Sequence, residues 1–151
     1  MLNIKDRQLI DSIEEKLREK EEFSLLEKYI QHGKVSTYQH VRSVAEMSCR
    51  LNRCLLNSSA DSHALVKGAL LHDFYLYDWH EKKLRQLHGY HHPKAAYDNA
   101  RRIYDVDEKV GGIILSHMWP LTLRSVPRTK EAFIVSLADK IISTRETLFK
   151  R

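Results

Sequence analysis

The chain has 151 residues, of which 42% are apolar, with only five glycines and three prolines; this excludes disordered and collagen-like classes and suits one domain with one core. No stretch reaches the roughly 18 uncharged apolar residues of a membrane span, and the start MLNIKDRQLIDS lacks the apolar centre of a secretory signal, so a cytoplasmic location is expected. The net charge of +5 is uneven: residues 1–30 sum to −2 and residues 31–151 to +7, a balance that favours an anionic partner.

Helical spacing starts at once. Leu9, Ile13 and Leu17, then Phe23, Leu26 and Ile30, predict a charged amphipathic helix over residues 4–30, ended by Gly33. Thr37 can cap the next helix, which runs to about residue 56 with Val44, Met47, Leu51 and Leu55 on one face. Cys49 and Cys54 fall on different faces of it, so no disulfide is expected. Asn57-Ser58-Ser59 is a turn, and Asp61 or Ser62 caps a helix carrying Leu65, Ala69 and His72 on one stripe.

Residues 75–91 show no clear period. His92-Pro93 resembles an N-cap followed by proline at N1, opening a helix through Ile103. Another helix starts near Asp107, places Val110, Ile113, Ile114 and His117 on one face, and stops at Pro120. The last covers about 130–149 around FIVSLADKII. No convincing alternating strand appears, so the fold class is all-α, a helical bundle in one domain.

Several ionisable residues interrupt these apolar faces: His40, His72 and Asp73, His92, His117, and Asp139. A buried carboxylate costs several kcal/mol or takes up a proton unless something compensates. Lys140 lies on another face from Asp139 and is a poor partner. A lone histidine on an apolar face is usually a hydrogen-bonded core residue. Six such groups on five helical segments, a donor set of imidazoles and carboxylates with no thiolate, instead suit a divalent transition ion such as Fe, Mn, Ni, Co or Zn.

The order His40, His72-Asp73, the His-Pro at His92, His117 and Asp139 resembles the HD superfamily of metal-dependent phosphohydrolases over residues 36–145. The resemblance implies an all-α core, with the segment 4–30 packed on it. It implies that His40, His72, Asp73 and Asp139 hold a first metal. His92 and His117 match the pair that holds a second in some members, with Asp73 bridging the ions. His92 is preferred because it supplies the His-Pro; His88 and His91 remain open. His32, His63 and His80 fit no motif and are expected at the surface.

What the resemblance implies for function is hydrolysis of a phosphate ester or anhydride, a nucleotide or dinucleotide foremost, with Asp73 orienting a metal-activated water. Lys94, Lys140 and Arg124 are the cations expected to neutralise phosphate. Leu76 stands where many members carry Lys or Glu, so that role falls to Asp78, Lys94 or Lys140, or to none of them. Trp79 and Trp119 follow the motifs closely and suit either base stacking or packing. A metal-binding module without turnover and a di-iron oxygenase are the rival classes. Nucleic acid is not expected, since no basic stripe offers a groove for a strand.

Overall fold

The computed structural model describes residues 1–81 and 88–149. Its helices are α1 (Ile4–Leu17), the single turn α2 (Glu21–Ser24), α3 (Thr37–Leu56), α4 (Ser62–Leu71), α5 (His88–Ile103), α6 (Glu108–Ser116) and α7 (Lys130–Phe149). Among the described residues no helix is long and apolar enough to cross a membrane.

The first helix is shorter than its spacing predicts. After Leu17 the run Arg18-Glu19-Lys20-Glu21-Glu22 offers no apolar residue to continue the buried face, and α1 stops there. Phe23 and Leu26, both fully buried, sit instead on α2 and a following 3-10 turn (Leu25–Glu27). A small antiparallel hairpin follows, β1 (Ile30–His32) with β2 (Val35–Ser36). Gly33 takes φ 59° in its turn rather than ending a helix, a conformation glycine adopts without steric cost. The hairpin is too short to show as an alternating pattern. Its consequence is local: strand alternation turns Gln31 inward.

Ser36, not Thr37, caps α3. Its Oγ accepts from Gln39 N at 3.2 Å while Gln39 Oε1 accepts from Ser36 N at 3.0 Å, a reciprocal capping box. Thr37 is buried inside the first turn. Asn57 closes the helix in the left-handed region at φ 48°, and Leu55 points to solvent. Asp61 caps α4 and Asp107 caps α6, each accepting from the backbone N–H three residues on.

Helix α4 is the centre of the bundle, packed between α3, α6 and α7. Seven of its ten residues are buried, so it reads as continuously apolar. Gly68 lets α6 approach: a Cβ there would lie 2.7 Å from Ile113 Cδ1. Helix α5 begins at His88, ahead of the predicted His92-Pro93 start, and holds Pro93 within it. The residues just before it lie outside those described.

Candidate metal centre

Helices α4 and α6 end alike. His72 and His117 are their C-caps, and each ring Nδ1 meets the carbonyl three residues back, Ala69 O and Ile114 O, at 2.6 Å. His92 Nδ1 lies 2.7 Å from His88 O, and His40 Nδ1 lies 2.8 Å from Glu146 Oε2. These partners only accept, so each Nδ1 carries a proton. In the neutral ring every Nε2 is then a lone pair.

All four Nε2 atoms converge on two buried carboxylates. His40 and His72 stand 3.4 and 3.2 Å from Asp73 Oδ2, and 3.1 and 3.6 Å from Asp139 Oδ1. His92 and His117 stand 3.2 and 3.3 Å from the other oxygen, Asp73 Oδ1. Asp73 thus divides its oxygens between two histidine pairs. His92 Nε2 and His117 Nε2 are only 2.8 Å apart. Two lone pairs at that distance repel unless a proton or cation lies between them. Among the described residues, buried His72 Nε2 and Asp73 Oδ1 have no hydrogen-bond partner, which is costly in the interior.

The charges respond to one another. Burial would raise Asp73, but the facing His72, His117 and His92 hold it well below the usual carboxylate range. Asp139 is likewise held down against burial, by His40 and His72. Burial would lower His40, yet Asp139 and Glu146 lift it to about 9. His117 is pushed down, chiefly by burial. Imidazole and carboxylate donors, each imidazole fixed through its far nitrogen, fit a divalent transition ion. His40, His72 and Asp73 form one group of donor atoms close enough to share an ion, His72, His117 and Asp139 another, and Asp73, His92 and His117 a third.

The other histidines separate clearly. His88 stacks on the back of His92, ring centres 4.3 Å apart, and meets Tyr77 Oη at 3.0 Å. Burial and neighbouring His92 depress it to about 3. His91 and His63 are exposed, and exposed His80 pairs with Asp78. His32 corrects the sequence expectation: it is half-buried with its ring 5.7 Å from His40.

Two supporting residues escaped the sequence. Gln31 Nε2 donates to Asp73 Oδ2 at 2.7 Å, and Gln31 Oε1 accepts from Tyr75 Oη at 2.5 Å. Glu146 backs His40. It lies seven residues after Asp139, two helical turns along the same face, and that spacing was the available signal. Gln31 gave none, because its strand is so short.

A cavity of about 590 Å³ opens beside Asp73 and Asp139, walled by Trp79, Met118 and Leu121, with Lys140 at its edge. Lys140 Nζ donates to His117 O and Ser136 Oγ, both at 3.0 Å. Lys94 and Arg124 do not join it. Lys94 is exposed and pairs with Asp98, and Arg124 lines a different cavity.

A mainly helical fold with buried histidines and aspartates gathered at its centre defines a class, and the family comparison gives it a name. The family model of the HD domain matches residues 37–143, most of the chain. The chain belongs to the HD domain family. No match is found among curated proteins or solved structures.

Proposed function

We propose that this protein is a metal-dependent phosphohydrolase acting on a phosphate ester or anhydride, with a nucleotide or dinucleotide foremost. The observation that carries the reading is the division of Asp73 between two histidine pairs, an arrangement suited to two ions. When bound there, divalent ions supply an acidified water and Lewis-acid polarisation of a phosphoryl oxygen.

The chain's own residues do the rest. Gln31 fixes the rotation of the Asp73 carboxylate by donating to one of its oxygens. Lys140 supplies the cation for a phosphate oxygen and is held in place by His117 O and the Ser136 hydroxyl. Burial lowers its pKa, with Asp139 opposing. Of the three cations singled out by sequence, it is the one at this cavity. Trp79 lines the cavity with its ring already stacked on His88, centres 5.0 Å apart, and its buried indole Nε1–H has no hydrogen-bond partner among the described residues, so it is a donor open to a ligand. The partner is therefore an anionic small molecule, and the cavity is of the size such ligands occupy.

One observation favours a binding module without turnover. Leu76 stands three residues after Asp73, at φ 60°, and brings no proton donor. A phosphate-release screen over mononucleotides, dinucleoside polyphosphates, cyclic dinucleotides and short RNA, with Mn²⁺, Fe²⁺, Co²⁺ and Mg²⁺ in turn, decides between them. Release that depends on metal supports the hydrolase. Metal bound with no release on any substrate sinks it, and O₂ consumption in that case identifies an oxygenase.

A further inference from the structure

Arg124 leads to a second cavity. It measures about 470 Å³, lies between α6 and the start of α7, and shares no lining residue with the one beside Asp73. Among the described residues Lys109, Arg124, Arg128 and Glu108 line it, and Lys109 Nζ reaches Asp61 Oδ2 at 3.5 Å. Among the described residues Arg124 and Arg128 form no hydrogen bond or ion pair. Leu115 and Val126 give it an apolar side.

Gly112 supplies an independent observation. It lies in the middle of α6, exposed, on the wall of this cavity. A glycine inside a helix costs stability relative to alanine because it orders a more flexible backbone. The neighbouring glycines repay that cost by close packing: a Cβ at Gly68 would lie 2.7 Å from Ile113 and one at Gly111 2.8 Å from Tyr97. Among the described residues a Cβ at Gly112 meets nothing within 4 Å. No contact among the described residues requires glycine there. What its missing side chain does is leave the cavity wall open down to the helix backbone.

We propose that this cavity is a second binding site, for a small molecule that joins a phosphate to an apolar body. The two guanidiniums match the phosphate, since guanidinium forks bind its oxygens in pairs. Leu115 and Val126 take the apolar part, and the bare backbone at Gly112 gives it room. The volume suits one such molecule. The site does not depend on the hydrolase reading.

The test uses the full chain, with phenylphosphonate as a probe that phosphatase chemistry leaves intact and inorganic phosphate beside it. Amide shifts are followed by NMR at low salt. The expected result is saturating shifts at Gly112, Ser125 and Thr129, with phenylphosphonate binding more tightly than phosphate. R124Q/R128Q weakens binding at least tenfold while the melting temperature holds. G112L fills the space and weakens it too. Shifts confined to the surroundings of Asp73 and Lys140, shifts that never saturate, or an affinity unchanged in R124Q/R128Q overturn the proposal. Because both arginines are exposed, the double variant remains informative even if G112L does not fold.

Discussion

His40 and Glu146 stand 106 residues apart in sequence, yet the imidazole Nδ1–H donates to the Glu146 carboxylate at 2.8 Å with both side chains buried. The carboxylate fixes the tautomer that turns Nε2 toward Asp139 and makes the ring a stronger donor. Losing such a partner commonly costs about 10- to 100-fold in metal affinity. Glu146→Ala is expected to weaken Mn²⁺ or Co²⁺ binding by that factor in a chelator competition, and Glu146→Gln by less, because its amide oxygen still accepts. Unchanged affinity in both variants would show that His40 needs no such support.

Asp73 touches both histidine pairs, so its loss is expected to remove more than one ion's worth of binding. Elemental analysis of wild-type protein should approach two ions per chain. His117→Ala should move towards one, and Asp73→Ala below that. Saturation at one ion under metal excess would leave His92 and His117 to other roles. Chelation is also expected to lower the melting temperature, because a ligand that binds only the folded state stabilises it by mass action.

Glu14 predicts an acid dependence away from the centre. Burial would raise its pKa, but hydrogen bonds from Tyr38, Arg18 and Arg42 outweigh that and hold it below the ordinary 4.5. A depressed carboxylate contributes stability that is present above its unfolded value and lost as pH falls through the folded one. Glu14→Gln is expected to cost about 2 kcal/mol at neutral pH, the range for a lost charged hydrogen-bond network. The difference from wild type should close as pH falls below 4.5 towards the folded value. Urea titrations across that range measure it; a gap that persists unchanged in acid assigns the loss to packing instead.

Two glycines predict opposite signs. Gly112→Ala meets no neighbour among the described residues and is expected to stabilise the fold by about 0.5–1 kcal/mol through helix propensity. Gly68→Ala drives a methyl against Ile113 and should destabilise by about 1–3 kcal/mol, the usual cost of overpacking. Thermal melts of the two variants check both, and equal shifts would contradict the packing described for α4 and α6.

Much of the fold was legible because helix signals are local. Asp61 and Asp107 announce their helices by a side chain that bonds three residues away, and the polar interruptions at His72, Asp73 and Asp139 stand out within a few turns of apolar sequence. The sequence alone therefore determined an all-α chain with a recurring set of ionisable groups that a core would not otherwise accept. Periodicity misled where one turn of charge broke it, between Leu17 and Phe23, and it could not register the hairpin that carries Gln31 and His32. Only the tertiary structure decided that Asp73 divides its oxygens, that His92 faces it while His88 stacks behind, and that Lys140 and Arg124 serve different cavities. Those outcomes depend on how α4, α5, α6 and α7 meet. Distances between side chains on separate helices follow from packing, such as the close approach at Gly68, and no spacing along the chain encodes them.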